Sequence, residues 1–257
     1  MTRLLEHLSS VRDEGRKLLV PYVMAGEPDR QGFGAALEAV ARHADAIEVG
    51  LPYSDPLMDG PVIAAAGARA IAAGIGPLDA LDLIAEVPGE TFRLAMTYYN
   101  PIHRIGEAEF CRRAVKSGIA GLIVPDIPVE ESESLRAAVA EEGLAWVPLV
   151  APTSPPERVE KIVATCTGFV YAVSTLGVTG VRGSLSERAA AVVERCRAAT
   201  DLPVLVGIGV SSPVQAVEAA TSADGVVIGS AVVARISEEG PAAASQFLAE
   251  VRTALGV

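Results

Sequence analysis

The feature of this sequence that most restricts its fold is a repeated alternation of short β-branched runs with longer helical patterns. Such alternation is typical of a parallel sheet covered by helices. Eight strands are predicted in 257 residues, and about 32 residues per strand–helix unit is close to the repeat of an eight-stranded barrel. The predicted strands are 18–25, 45–50, 93–98, 121–126, 145–150, 169–174, 204–209 and 225–230.

A helical pattern follows each predicted strand, and one further helix, residues 2–15, precedes the first and is expected to close the lower end of the barrel. In 131–142, Leu135 and Val139 share one face and acidic residues the other, as in a helix that lies on a barrel. The other predicted helices are 30–43, 62–86 in two pieces, 107–118, 130–142, 155–166, 185–199, 212–221 and 240–255.

No linker or change in composition divides the chain. We therefore predict an α/β fold, a single (β/α)8 TIM barrel domain over residues 1–257 with an extra N-terminal helix. The alternative is an open doubly wound sheet, which usually carries a GxGxxG turn after its first strand. Here that turn reads AGEPDR, so the fingerprint of a dinucleotide site is missing.

Net charge and apolar runs argue against two kinds of partner. The chain has 21 Lys and Arg against 32 Asp and Glu, a net charge of −11, which would repel nucleic acid. Its first 17 residues are charged throughout, unlike a signal peptide. The alanine-rich segment 62–75 is interrupted by Arg69 and glycines and is shorter than the ~20 apolar residues of a membrane span. We expect a soluble protein that binds neither nucleic acid nor a membrane.

The residues that usually hold metals or form Schiff bases are few and badly placed. The cysteines form no CxxC pair, which favours a reducing cytoplasm over a disulfide framework or a zinc site. The lysines precede the first strand or lie in outer helices, and the histidines lie on helices or in one loop without metal spacing. Chemistry is therefore expected to use carboxylates, without metal or cofactor. These residues are Cys111, Cys166, Cys196, Lys17, Lys116, Lys161, His7, His43 and, in the loop, His103.

Glycines gather at the ends of the last three predicted strands, where the active site of a barrel lies. Glycine lets backbone N–H groups approach a phosphate, and the helices that follow direct their positive ends at it. Each group alone could be an ordinary tight turn, but three on neighbouring strands indicate a phosphate ester as ligand. The residues are Gly177, Thr179, Gly180, Gly207, Gly209, Gly229 and Ser230.

Acidic residues at the second and fourth strand ends are the candidate acids and bases. Alternation places Glu48 inside the barrel, where burial would raise its pKa, although a buried structural carboxylate is the alternative. Asp55 before a proline is interpreted as a turn residue, and Asp59 as either a helix cap or a catalytic group. Asp126 is expected to have a structural or supporting role.

The stretch DAIEVGLPYSDPLMDGP (45–61) strongly resembles the signature of the tryptophan synthase α subunit. The blocks VPYVMAGEP (20–28), VPDIPVEES (124–132), LGVTG (176–180), GIGVSSPVQ and GVVIGSAVV occur in the family's order and spacing. The resemblance covers essentially the whole chain. It implies a (β/α)8 barrel that cleaves indole-3-glycerol phosphate to indole and glyceraldehyde 3-phosphate by a retro-aldol reaction.

The resemblance also implies catalytic roles. Glu48 matches the family's glutamate, which protonates indole C3 and then assists deprotonation of the glycerol hydroxyl. Asp59 matches the aspartate that stabilises positive charge at indole N1, and Thr179 matches the threonine that binds this aspartate when its loop closes. The phosphate site maps to Gly180, Gly209, Gly229 and Ser230, and the indole pocket to Tyr22, Tyr98, Ile123, Tyr171 and Ile208.

Two segments depart from the family's pattern. Ile208 stands where some relatives carry phenylalanine, which keeps an apolar wall but removes ring stacking on indole. The loop after Gly180 reads VRGSLSERA, a segment that varies in the family. Both differences affect affinity more than the type of reaction.

The resemblance implies a partner as well. In this family the α subunit joins a pyridoxal-phosphate β subunit in an αββα complex and passes indole to it, so pyridoxal phosphate is expected only on that partner. The surface around Asp55, Pro56 and the fourth-strand loop is the candidate interface. Two other functions stay open: a phosphosugar isomerase of the same barrel type, and a subunit that only activates a β partner. The presence of both Glu48 and Asp59 argues against each.

Overall fold

The computed structural model describes residues 1–173, 185–207 and 209–256, with residues 185–188 described by their backbone only. Its parallel strands follow the predicted order, with boundaries shifted by one to three residues at most ends. They are β1 (Leu18–Met24), β2 (Ala46–Gly50), β3 (Phe92–Met96), β4 (Ile119–Ile123), β5 (Ala145–Trp146), β6 (Leu149–Val150), β7 (Val170–Val173), β8 (Val204–Gly207) and β9 (Gly225–Ile228).

The sheet closes through the segment 145–150, which pairs on both sides. Its first half, β5, pairs with β4, and its second half, β6, pairs with β7. The remaining neighbours run β4-β3-β2-β1-β9-β8-β7, and each described pair is parallel. The strand segments therefore occupy eight positions around a barrel, as predicted.

The fifth predicted strand, 145–150, is not continuous. It breaks between β5 and β6 at Val147 and Pro148, where Val147 N–H donates to Leu122 O at 3.0 Å and Tyr171 N–H donates to Pro148 O at 3.0 Å. Proline has no N–H to donate, so it is tolerated where the pairing changes from one neighbour to the other. The break marks the seam of the barrel.

Helices cover the outside of the barrel, and two of them were not predicted. Residues 99–105 continue the third strand–helix connection as a short helix, which places His103 in a helix and not in a loop. Residues 230–238 form a helix directly after the last strand. The helices are α1 (Arg3–Asp13), α2 (Phe33–Ala41), α3 (Pro61–Ala72), α4 (Pro77–Ala85), α5 (Tyr99–Ile105), α6 (Glu107–Lys116), α7 (Glu133–Glu141), α8 (Pro156–Val163), α9 (Leu185–Arg197), α10 (Pro213–Ala220), α11 (Ser230–Glu238) and α12 (Pro241–Ala254).

The extra N-terminal helix α1 covers the lower end of the barrel, as expected. Its buried face presents Leu4, Leu8 and Val11 to inward side chains of the strands, and they form one apolar cluster. The Thr2 hydroxyl caps α1 by accepting from Leu5 N–H at 3.3 Å and donates to Thr167 O at 2.6 Å. Chemistry is thereby restricted to the opposite end, where the strands end at their carboxyl termini.

Within the described residues, no single helix has the length and apolar composition of a membrane span. Helices α3 and α4 meet those criteria only as a pair, and they are bent by 90° relative to each other.

Candidate active site

Glu48 lies at the centre of the candidate site because β2 alternates as predicted. Ala46 joins the cluster inside the barrel, whereas Ile47 and Val49 pack against the surrounding helices. Glu48 is 1% exposed, and its Oε1 has no hydrogen-bond partner among the described residues. Burial, followed by the charge of Asp59, raises the pKa of Glu48 to about 8. The carboxyl group is therefore largely protonated near neutral pH.

Asp59 is held by Tyr98, which comes from the end of β3. The Tyr98 hydroxyl donates to Asp59 Oδ1 at 2.8 Å and accepts from Met58 N–H at 2.9 Å. Burial raises the pKa of Asp59, and the hydrogen bond from Tyr98 opposes that rise. The N-cap of α3 is Gly60, with no side-chain capping bond. Asp59 therefore does not cap α3, and of its two interpretations from the sequence the catalytic one remains.

The other two acidic residues at this end are structural, as expected. Asp126 Oδ1 accepts from the N–H of Tyr99 at 2.8 Å, and Tyr99 is the first residue of α5. Asp126 thereby anchors the helix that begins beside Tyr98. Asp55 is exposed, and its carbonyl accepts from Leu57 N–H at 3.0 Å in a turn.

Two inward tyrosines fill the barrel above Glu48, and glycines on neighbouring strands make room for them. A Cβ on Gly50 would lie 1.8 Å from the Tyr22 hydroxyl, and one on Gly207 would lie 2.2 Å from the Tyr171 ring. Both glycines end their strands, and neither could carry a side chain without moving a ring. Burial is the main reason that the pKa of each tyrosine is raised, and the charge of Glu48 contributes.

Apolar groups complete the wall of the site. Ile123 is fully buried and belongs to the cluster inside the barrel. Sequence reasoning missed three further residues: Met96 and Ile63, which pack against a cluster that contains Tyr22, and Tyr53, whose ring lies 5.2 Å from that of Tyr98. Met96 is two positions before Tyr98, so alternation along β3 places both side chains on the inner face, and this spacing could have indicated Met96.

The candidate phosphate site lies at the ends of β8 and β9. Gly229 is the N-cap of α11, and Ser230 is its first residue, so the first backbone N–H groups of this nine-residue helix face the mouth. The pairing of Gly207 with Val227 places Gly209 and Gly229 at matching heights on the two strands. A Cβ on Gly209 would meet no atom within 4 Å. The structure thus brings three of the predicted phosphate residues to one edge.

Three predicted site residues, Thr179, Gly180 and Ile208, lie outside the described residues, as does Gly177 of the first glycine group. The histidines lie elsewhere: the His103 ring is 5.7 Å from that of Tyr99, and His43 bonds Ser245 at 3.0 Å. Among the described residues, no group of three His, Cys, Asp or Glu could hold a metal ion.

Comparisons with known proteins agree along the length of the chain. The model of a family described as "Tryptophan synthase alpha chain" matches residues 8–255. The chain is similar to the tryptophan synthase alpha chain of Microcystis aeruginosa, with 42% identity over 97% of this chain and 96% of the relative. Its counterpart from Carboxydothermus hydrogenoformans is 46% identical over 91% and 88%.

Solved structures give the same result. A chain of tryptophan synthase from Mycobacterium tuberculosis superposes with a TM-score of 0.92 and 39% identity, covering 100% of this chain and 99% of the other. Tryptophan synthase subunit alpha from Legionella pneumophila gives a TM-score of 0.90 and 30% identity, covering 99% and 98%.

Proposed function

Since the chain belongs to the tryptophan synthase alpha chain family, lyases that cleave indole-3-glycerol phosphate to indole and glyceraldehyde 3-phosphate, we propose that Glu48 and Asp59 carry out this cleavage here. The observation that supports the assignment best is the buried Glu48 carboxyl, whose raised pKa of about 8 and unpartnered Oε1 make it a proton donor facing the barrel interior.

In the proposed reaction Glu48 donates its proton to C3 of the indole ring. The protonated ring withdraws electrons, so the bond between C3 and the first glycerol carbon breaks and its electron pair returns to the ring. The hydroxyl on that carbon loses its proton to the Glu48 carboxylate and becomes the aldehyde of glyceraldehyde 3-phosphate. Atoms and protons balance, and Glu48 ends protonated, ready for another turnover.

Asp59 is proposed to act as an anion. While C3 is protonated, positive charge develops at the ring nitrogen, and a carboxylate close to it stabilises that charge. The hydrogen bond from Tyr98 favours the ionised form of Asp59. In this proposal the two carboxyl groups have opposite protonation states in one site, which is the arrangement that acid and electrostatic catalysis require.

We infer that the phosphate binds at the N-terminus of α11, through Gly229 and Ser230, and that Gly209 and Gly180 also contribute to binding it. A helix N-terminus offers free N–H groups and a positive dipole end. The residues proposed to hold the indole ring are Tyr22, Tyr98, Ile123, Tyr171 and Ile208, and Thr179 is proposed to bind Asp59 when its loop closes. The reaction needs only acid, base and charge stabilisation, so no cofactor is proposed for this chain.

A β subunit that carries pyridoxal phosphate is the proposed partner, in an αββα complex in the cytoplasm. The proposed interface includes Asp55 and Pro56 in the loop after β2. The same loop exposes Leu57 by 86% and Met58 by 46%, and exposed apolar side chains of this kind are common at interfaces. Beside it an open cavity of about 630 Å³ is lined by Tyr53, Asp55 and residues of α5 among others.

The proposed roles are tested by measuring glyceraldehyde 3-phosphate formation from indole-3-glycerol phosphate by the purified chain, with and without a β subunit. We expect Glu48→Gln, nearly isosteric but unable to transfer the proton, to fold normally and lose cleavage. Glu6→Gln is the matched control, because Glu6 is exposed and lies on α1, at the closed end of the barrel. Substantial cleavage by Glu48→Gln would contradict the mechanism. Cleavage activity that does not change when the β subunit is added would contradict the proposed partnership.

A further inference from the structure

Tyr22 lies between the proposed phosphate site and Glu48. Its strand, β1, pairs with β9 on one side, where Pro21 is opposite Ile228, and with β2 on the other, where Tyr22 is opposite Glu48. A Cβ on Gly229 would lie 3.7 Å from the Tyr22 Cβ. A ligand that reaches from the N-terminus of α11 to Glu48 must therefore pass over Tyr22.

The Tyr22 hydroxyl is a buried donor without an oxygen acceptor in the described part of the chain. The side chain is 3% exposed, and its hydroxyl lies against Gly50, two residues after Glu48 on the same face of β2. Its one hydrogen-bond partner among the described atoms is the Met24 sulfur at 4.0 Å, and a thioether is a weak acceptor. Buried hydroxyl groups normally find a stronger partner, so the position suits an oxygen brought by a ligand.

The substrate of the proposed function has such oxygens at the corresponding place. In indole-3-glycerol phosphate the phosphate and the indole ring are joined by three carbons, two of which carry hydroxyl groups. With the phosphate at Gly229 and C3 of the ring at Glu48, this hydroxylated segment lies above β1. We propose that Tyr22 is a specificity-determining residue whose hydroxyl donates a hydrogen bond to a glycerol hydroxyl of the substrate, an inference that rests on the proposed function.

This proposal gives Tyr22 a polar role in addition to a place in the indole pocket. A tyrosine that only forms part of the wall around the indole ring would contact the substrate through its own ring, and its hydroxyl group would be dispensable. A donor to the glycerol segment would instead discriminate between ligands with and without hydroxyl groups. Sites built to bind a hydroxyl group lose much of their affinity for analogues that lack it.

The experiment compares two ligands in the Glu48→Gln background, which stops turnover and permits equilibrium binding. One ligand is indole-3-glycerol phosphate, and the other is indole-3-propanol phosphate, which keeps the ring and the phosphate but has no glycerol hydroxyls. We expect Tyr22→Phe to weaken binding of the first about 5- to 15-fold, the value of one hydrogen bond, and to change binding of the second by less than about 2-fold.

Met24→Leu is the matched control. It keeps the volume of the side chain and removes the sulfur that now accepts from Tyr22. We expect the ratio of the two affinities to stay unchanged in this variant, and thermal unfolding checks that both variants fold.

Three outcomes would overturn the proposal. If Tyr22→Phe lowered the affinity for both ligands equally, Tyr22 would act only as part of the apolar wall. Unchanged binding of both, with a shifted pH profile for cleavage by Tyr22→Phe in the otherwise wild-type chain, would mean that Tyr22 acts through Glu48. If the Glu48→Gln parent binds neither ligand and the wild-type chain cleaves no substrate, the proposed function itself fails, which is distinguishable from the first two results.

Discussion

The hydroxyl of Tyr98 donates to the carboxylate of Asp59 across 2.8 Å, joining the end of β3 to the loop after β2. The same oxygen accepts the backbone N–H of Met58, so it fixes both the side chain of Asp59 and the main chain just before it. The start of α5 is fixed in turn by Asp126, whose carboxylate accepts the N–H of Tyr99. Asp59 is thereby oriented by groups from two neighbouring strand ends.

Replacement of Tyr98 tests this relationship. Tyr98→Phe removes the donor that favours ionised Asp59, so we expect kcat/KM to fall about 10- to 100-fold and the acid limb of its pH profile to move to higher pH. Tyr53→Phe is the control, because the Tyr53 ring packs at a tilt against that of Tyr98 and its hydroxyl accepts from Asn100 outside the pair. A reduced rate with an unmoved acid limb would show that the Tyr98 hydroxyl acts by positioning Met58 and Asp59 and not by favouring ionised Asp59.

The raised pKa of Glu48 predicts a pH dependence of stability. The ordinary pKa of a glutamate is 4.5, and that of Glu48 in the folded protein is about 8. Between these two pH values Glu48 holds a proton in the folded protein that it releases in the unfolded chain, so the free energy of unfolding falls as pH rises. We expect Glu48→Gln to be more stable than wild type by roughly 2–4 kcal/mol at pH 8.5, and the difference to vanish near pH 4. Urea unfolding at several pH values measures it, and a constant difference would contradict a raised pKa.

The space above Gly50 gives a third prediction. A Cβ there would lie 1.8 Å from the Tyr22 hydroxyl, so Gly50→Ala must displace the ring, with an expected loss of about 1–3 kcal/mol of stability and most of the cleavage activity. Gly34→Ala is the opposite case, because Gly34 lies within α2, where a Cβ would make only an ordinary contact with Val87 at 3.5 Å and alanine favours a helix by about 1 kcal/mol. Thermal unfolding distinguishes them, and equal behaviour would contradict the close contact.

Glu27 provides the fourth prediction, through an ion pair between its buried carboxylate and the half-exposed Arg69 that joins the loop after β1 to two helices. Its 2% exposed carboxylate accepts two hydrogen bonds from Arg69 of α3, at 2.9 and 2.8 Å, and one from Ser237 of α11 at 2.5 Å. Arg69→Ala leaves a buried carboxylate with one donor, which costs about 3–5 kcal/mol.

The reverse replacement is expected to be milder. In Glu27→Gln the buried group becomes neutral, and the half-exposed Arg69 can turn to water, so we expect a loss of about 1–2 kcal/mol. Chemical denaturation of both variants gives the two values. Equal losses would contradict the view that burial of an unpaired charge dominates.

The sequence predicts the strands well and two of the helices not at all, for physical reasons. Alternation in β2 correctly places Glu48 inside the barrel. From Gly225 to Ala234 every residue except Ser230 is glycine or apolar, which hides the boundary between β9 and α11. Helix α5 is short, contains Pro101 and depends on a carboxylate 27 residues away in sequence, so local pattern does not reveal it.

The contacts within the candidate site were harder to predict than the residues themselves. Glu48 and Asp59 are recognisable from their motif, but the bond between Asp59 and Tyr98 spans 39 positions and depends on how β2 and β3 lie side by side. The sequence predicts Gly207 as one of the phosphate-site glycines, and only the folded barrel shows that Gly207 and Gly50 accommodate Tyr171 and Tyr22.

Helix α1 closes one end of the barrel with Leu4, Leu8 and Val11, and this has a consequence for molecular traffic. Because the barrel is closed at this end, substrate must enter and both products must leave at the other, through the rim formed by the strand carboxyl ends. Any protein that collects the indole before it escapes must therefore sit across this rim, and its placement decides whether the ring is handed over or lost to solvent.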